Sequence, residues 1–211
     1  MRINFDMDDT LVATHAYIRD NLSPSTNETA RVMRQCDEQG HAYIHAGKDL
    51  QDDIYEQILR KEDFMLESGI AAWVENHFEE FVEFINELKE LGHTFSICTH
   101  RGWTEYGYSK TIRWLSAKGL ELFDDIHCLD SEETPCKLSY LQETYGNDFI
   151  IVDDNPSFEI DRAKELAYNK HVLQCVGEHT VPNYVHFRTF STFHEFKSNL
   201  LTLLGVHNES V

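Results

Sequence analysis

The stretch RINFDMDDTLV, residues 2–12, sets Asp6, Asp8 and Asp9 within four positions of one another behind an apolar-leaning start. A second acidic pair, Asp153 and Asp154, closes the continuously apolar run FIIVDD. Two carboxylates about 4 Å apart repel by roughly 4 kcal/mol at an effective dielectric near 20, so bringing them together without a counter-ion opposes folding. A divalent cation resolves the conflict, and an all-oxygen ligand set favours Mg²⁺ over zinc. A lone D-x-D is usually a polar turn. The second pair, at the end of a matching strand-like run, turns the reading towards a metal.

These acids must be positioned by the elements that carry them. RINF, HTFSICT, DIHCL, FIIVDD and HVLQCV read as five strands, and helical patterns separate the later ones. Alternation of this kind predicts an α/β fold: a Rossmann-like, mainly parallel five-stranded sheet flanked by helices. Ligands of such sheets bind beyond the carboxyl ends of the strands, where Asp6, Asp8, the segment Thr99 to Arg101, Asp153 and Asp154 all fall. In WVENHFEEFVEFINELKELG, Val74, Phe78, Phe81, Ile85 and Leu88 mark the buried face of one long helix. TEYGYSKTIRWLSAKG predicts another with Tyr108, Ile112 and Leu115 inward, and KLSYLQETYG a third that stops at Gly146. A further helix is expected around Ile160 to Ala167, and Thr192 with Glu195 forms a capping-box pattern opening a final one near the end of the chain.

Residues 14–72 show no strand series. NETARVMRQCDEQ and DLQDDIYEQILRKEDFML look helical, the latter with Leu50, Ile54, Ile58 and Leu59 on one side, so this segment reads as a small helical insertion after the first strand. The division expected is a core of residues 1–13 and 73–211 with an insertion at 14–72.

Composition bounds the partners. The 211 residues carry 18 Lys and Arg against 37 Asp and Glu, a formal charge of −19, which disfavours long nucleic acid and anionic lipid. Over residues 49–90 there are 13 acidic and 3 basic side chains, best read as a solvated helical surface. Five cysteines with no C-x-x-C pair suggest reduced thiols in a cytoplasmic setting. No run reaches the length of a membrane span, and no signal-peptide core stands at the N-terminus. His41 and His45 have zinc-like i, i+4 spacing, yet nothing suggests a third ligand. Trp73, Trp103 and Trp114 read as packing residues.

FDMDDTLV, with its D-x-D-x-T pattern behind a strand, resembles the opening of the haloacid-dehalogenase-like (HAD) superfamily of phosphohydrolases. Thr99 ending FSICT, Lys137 at a helix start and Asp153-Asp154 ending FIIVDD follow in that family's order. The resemblance implies that Asp6 is the nucleophile forming an aspartyl-phosphate and binds Mg²⁺. Asp8 would be the acid–base and bind the metal through its carbonyl, which requires a raised pKa. Thr99 and Lys137 would hold the phosphoryl oxygens, Asp154 would be the direct metal ligand, and Asp153 would act behind it. Thr10 would order the turn near the substrate, and His100 and Arg101 would stand at the rim.

In this superfamily a helical insertion after the first strand acts as a cap that chooses the substrate. A small cap with ICT and VDD strands is similar to the 5′-deoxyribonucleotidase branch. Tyr17, Tyr43 and Phe64 are candidates for a base pocket, with core packing the more ordinary use of each. The function implied is a Mg²⁺-dependent phosphomonoesterase acting on a small phosphorylated metabolite, with a nucleoside 5′-monophosphate as the best candidate. The alternatives are a polynucleotide-end phosphatase, a phosphotransferase, or a non-catalytic binding module on the same fold. The oligomeric state is not legible.

Overall fold

Each apolar run bounded by turn residues becomes a strand, and their order is settled by a computed structural model that describes residues 1–61, 63–155, 162–177 and 186–206. The strands are β1 (Arg2–Phe5), β2 (Thr94–Thr99), β3 (Asp125–Cys128), β4 (Phe149–Asp153), β5 (Val172–Cys175) and β6 (Arg188–Phe190). They form one sheet in the order β3-β2-β1-β4-β5-β6, with every neighbouring pair parallel. The sheet therefore has six strands rather than five. The addition, β6, is the three-residue edge strand RTF, of which only Phe190 is buried.

The sheet is buried on both faces, as the unbroken apolar runs require. Successive side chains point to opposite faces. Ile3, Phe5, Phe95, Ile97, Ile150 and Val152 accordingly join one apolar cluster with helices α6 (Phe78–Glu90) and α10 (Phe193–Leu203). Cys98, Phe149, Ile151 and Val172 face the other way, against α8 (Lys137–Tyr145). Phe5 stands at the centre of the first cluster, its ring centroid 6.1 Å from that of Phe81 and 5.8 Å from that of Phe196.

Among the helices that pack on the sheet, three differ from expectation. The long helix expected from Trp73 is two, α5 (Ala72–Glu75) and α6, broken at His77. In α7 (Gly107–Ala117) the inward stripe is Gly107, Lys110, Thr111, Trp114 and Leu115, whereas Tyr108 and Ile112 are exposed. The helix expected near Ile160 is α9 (Arg162–Tyr168); residues 156–161 lie outside the described residues. The capping box of α10 is present, with the Thr192 hydroxyl accepting from Glu195 N–H.

Between β1 and α5 the chain is helical throughout: α1 (Thr14–Asn21), α2 (Asn27–Gln39), a 3-10 turn at Tyr43–His45, α3 (Lys48–Ile54), a π-helical turn at Tyr55–Leu59 and α4 (Phe64–Glu67). Gly40 ends α2 at φ 66°, the left-handed cap its lack of a Cβ permits. The second helix read from sequence is thus three pieces, with Leu50, Ile54 and Ile58 buried and Leu59 only partly so. His45 ends the 3-10 turn Tyr43–His45 and His41 precedes it, so the two do not belong to one regular helix. Ile18, Leu22, Tyr43, Leu50, Ile54 and Phe64 belong to an apolar cluster separate from those of the sheet.

The two segments joining this unit to the sheet are bonded to each other. Val12 and Ile70 form an antiparallel bridge, Ala13 N–H donates to Gly69 O at 3.0 Å, and Ala71 N–H donates to Leu11 O at 2.8 Å. No helix among the described residues is long and apolar enough to cross a membrane.

Candidate active site

The register of the central strands brings the acids together. Phe5 pairs with Val152 and with Ile97, so the residues that follow each strand emerge side by side. Asp6 N–H continues the ladder to Val152 O at 2.9 Å, which fixes the backbone under its carboxylate. The carboxylates of Asp6, Asp153 and Asp154 each offer an oxygen within 4.8 Å of the others.

Lys137, the first residue of α8, points into this cluster. Its Nζ lies 2.7 Å from Asp6 Oδ1 and 2.8 Å from Asp153 Oδ2. Burial works against its charge, but Asp153 and Asp6 outweigh that and hold the ammonium above the ordinary lysine range. Asp153 is pushed up to about 7 by burial and by the Asp6 charge, despite Lys137. Asp154 is pushed well above the carboxylate range, chiefly by burial and then by Asp153 and Asp6.

The two members of the second pair differ. Asp153 is spoken for: Lys137 donates to one oxygen and Asn155 N–H to the other at 2.8 Å. The Asp154 carboxylate accepts no hydrogen bond among the described residues, while its backbone is held by Thr10 and Gln174: Asp154 N–H donates to Thr10 Oγ1 at 3.0 Å, and Gln174 Nε2 donates to Asp154 O at 2.9 Å. Three carboxyl groups, those of Asp6 and Asp153 buried and that of Asp154 partly so, face one ammonium, and Asp154 is the one with no hydrogen bond among the described residues. The residues present therefore fit a hard divalent cation.

Thr10, expected among the substrate-binding residues, is fully buried and does not line the cavity; its hydroxyl accepts from Asp154 N–H. Its carbonyl is fixed in turn by Trp73 Nε1 at 2.7 Å. The turn itself passes through Asp9 at φ 56°, a left-handed conformation that aspartate tolerates better than most residues. Asp9 Oδ1 accepts from His15 N–H at 2.7 Å, and burial with the Asp8 and Asp6 charges raises it to about 7.

Asp8 departs from expectation. Arg101 grips it with two bonds, Nε to Oδ2 at 2.8 Å and Nη2 to Oδ1 at 2.6 Å, and Thr14 Oγ1 donates to Oδ1 at 2.5 Å. Burial pushes Asp8 up, but the Arg101 guanidinium outweighs it and the carboxyl sits below its ordinary value rather than above. Arg101 is itself buried, and its Nη1 has no hydrogen-bond partner among the described residues. Sequence placed Arg101 at the rim; the signal that it goes inward is the pair of glycines after it. A Cβ at Gly102 would lie 2.5 Å from the Leu129 carbonyl carbon, and one at Gly107 would lie 1.9 Å from the Arg101 carbonyl oxygen. Glycine lets the loop close tightly enough to tuck the guanidinium under the sheet end.

Thr99 ends β2 with a buried hydroxyl that has no partner among the described residues. His100 lines the cavity, with Nε2 donating to Thr134 O at 2.9 Å. Above the acids is a cavity of about 250 Å³, floored by Asp6, Asp8, Thr99, Lys137 and Asp154. Phe64 lines its roof, as does Trp103, which sequence assigned to packing alone. Tyr43 and Tyr17 do not line it: Tyr43 is fully buried beside His15, and the Tyr17 hydroxyl donates to Glu67.

No family model matches the sequence, and no curated protein matches it. Solved structures do share its fold. A haloacid dehalogenase-like family hydrolase from Streptococcus pneumoniae is 18% identical and superposes with a TM-score of 0.59 over 94% of this chain and 97% of its own. A haloacid dehalogenase-like hydrolase from Xanthomonas campestris is 15% identical, with a TM-score of 0.51 over 96% and 95%. A protein from Haemophilus somnus described as a predicted phosphoglycolate phosphatase is 17% identical, with a TM-score of 0.50 over 94% and 96%. The chain has the haloacid-dehalogenase-like fold along nearly its whole length.

Proposed function

We propose that the protein is a Mg²⁺-dependent phosphomonoesterase that works through an aspartyl-phosphate on Asp6. The observation that carries this is the geometry at the end of β1: a buried carboxylate, held by an ammonium at 2.7 Å, opens into a cavity beside an unpartnered threonine hydroxyl.

Asp6, Asp154 and the carbonyl of Asp8 would hold Mg²⁺, with Asp153 behind them. When bound, the ion neutralises charge on the carboxylates and on the phosphate oxygens. The chain's own groups do the rest. Asp6 attacks phosphorus, a P–O bond to Asp6 forms, and the bond to the leaving oxygen breaks. Thr99 Oγ donates to one phosphoryl oxygen, and Lys137 spreads its charge over Asp6 and another; positioning and electrostatic stabilisation dominate such transfers. The leaving oxygen takes a proton from Asp8. Asp8 then removes a proton from the water that attacks phosphorus, and Asp6 is released as a carboxylate.

Held by Arg101 and Thr14, Asp8 has the ionised form that the second half-reaction needs. For the first it must gain a proton, and an arriving phosphate dianion supplies the drive, since a like charge disfavours the carboxylate and competes for Arg101.

We take residues 14–72 as the cap, and a nucleoside 5′-monophosphate as the best candidate substrate, because the cavity joins a phosphate-sized polar floor to an apolar roof. The phosphoglycolate named for the Haemophilus protein suits this cavity less, because both cations that line it, Lys137 and Arg101, are engaged by carboxylates. The test is turnover of p-nitrophenyl phosphate with and without Mg²⁺, for the native protein and Asp6→Asn. The variant is expected to fold normally and lose turnover; near-normal rates would remove Asp6 from its role.

A further inference from the structure

We propose that Trp103 and Tyr55 form a ring-reading gate, so that the site selects phosphomonoesters whose other end is an uncharged planar ring and rejects those bearing a second anion. This rests on the assignment of Asp6 as nucleophile and deepens it.

The roof is apolar. Ile44, Leu59, Phe64 and Met65 line it with the two aromatic residues, and among the described residues no lysine or arginine of the segment 14–72 faces the cavity. The polar floor is acidic, and its two cations are each paired with aspartates. A second carboxylate or phosphate on the substrate would be desolvated against apolar groups with no cation to receive it, and repelled by the floor. An uncharged ring meets neither penalty.

Trp103 and Tyr55 come from opposite sides of the junction. Tyr55 and Leu59, the first and last residues of the π-helical turn Tyr55–Leu59, both line the cavity. Such turns interrupt the regular ladder and recur at functional sites. Tyr55 is 38% exposed, so part of its ring is open to an incoming molecule. Trp103 belongs to the loop after β2 yet packs on the apolar cluster of the insertion, and its ring meets Tyr55 edge-on with centroids 6.1 Å apart. Tyr106 of the same loop donates to Arg60 O at 3.2 Å, tying loop to insertion again.

The spacing gives the gate its selectivity. Trp103 is four residues beyond Thr99, and the loop between is locked by Gly102 N–H donating to Leu129 O at 2.8 Å and by the Arg101 grip on Asp8. The indole is therefore set at a fixed distance from the phosphate position. Only a molecule that spans the two engages both.

The test compares kcat/KM for a nucleoside 5′-monophosphate, β-glycerol phosphate and 2-phosphoglycolate. The native protein should rank them in that order. Base stacking on an aromatic ring is worth about 1–3 kcal/mol, so Trp103→Ala and Tyr55→Ala should each lower the nucleotide-to-glycerol-phosphate ratio by roughly 5- to 150-fold. Trp103→Phe should restore most of it, and Leu59→Arg should raise 2-phosphoglycolate turnover relative to the nucleotide. An equal loss on all three substrates, an unchanged ratio, or a native preference for 2-phosphoglycolate would overturn the proposal. Calorimetric binding of the same compounds to Asp6→Asn protein reads ring recognition without turnover. If the nucleotide binds there more tightly than β-glycerol phosphate but the native protein turns nothing over, the catalytic assignment has failed and the gate stands; equal binding sinks the gate.

Discussion

Lys137→Met removes the ammonium between Asp6 and Asp153 while keeping nearly the same volume. Lys137 Nζ lies 2.7 and 2.8 Å from the two carboxylates and is buried with them. Oxygens of the three aspartates lie within 4.8 Å of one another, a distance at which each ionised pair repels by about 3.5 kcal/mol at an effective dielectric near 20. Breaking a buried ion pair from one side typically costs about 3–5 kcal/mol. The penalty must depend on pH. Asp153 already sits near 7 through burial and the Asp6 charge, and Lys137 is among the groups holding it down; without Lys137 it rises further. The folded protein then binds a proton that the unfolded chain, with aspartate near 3.9, does not, so stability falls as pH rises above that value.

The variant without Mg²⁺ should be close to the native protein at about pH 5 and less stable by about 3–5 kcal/mol at about pH 8. That corresponds to a melting temperature lower by roughly 6–20 °C. Added Mg²⁺ should restore part of the stability but not turnover, which should stay down by roughly 10²- to 10³-fold. Circular-dichroism melts at the two pH values, with chelator and with Mg²⁺, measure this. An equal deficit at both pH values would refute the electrostatic account of the site.

Gly107→Ala places a methyl 1.9 Å from the Arg101 carbonyl oxygen, so the loop must move; we expect a loss of about 1–3 kcal/mol in denaturant unfolding and, because Asp8 loses its grip, a drop in kcat. Mg²⁺ affinity should rise with pH through the region near 7 where Asp153 titrates, with proton release on binding detectable by calorimetry in buffers of different ionisation enthalpy; affinity independent of pH would contradict the raised carboxylates. Thr192→Ala removes the hydroxyl that accepts from Glu195 N–H and should cost about 1 kcal/mol in chemical denaturation with turnover untouched.

The parts of the molecule legible in the sequence are those governed by local rules. FIIVDD is apolar up to its acids because β4 is covered on both faces, Gly40 ends a helix through its left-handed backbone, and Thr192 opens one through its hydroxyl. β6 was not legible: two of its three residues are exposed, and its pairing with β5 is decided by the sheet. In α7 the aromatic and aliphatic pattern pointed to Tyr108 and Ile112, but Lys110 and Thr111 occupy the inward stripe beside Trp114, so the periodicity misled by one position. The π-helical turn at Tyr55 is likewise invisible to a period of 3.6. The ends of β1, β2 and β4 were predictable as a meeting point, because parallel register places them together. The Asp8–Arg101 contact, joining residues 93 apart, depends on how one loop closes and left only Gly102 and Gly107 as traces.

The bridge between Val12 and Ile70 gives the helical insertion a single stem: it leaves the sheet and returns to it at one place, through chain segments bonded to each other. Thr14 Oγ1 on Asp8, Trp114 Nε1 on Ser68 O and the Tyr106 hydroxyl on Arg60 O add ties beside that stem, so a displacement of the helical unit is felt at the end of the sheet and at the Asp8 carboxylate.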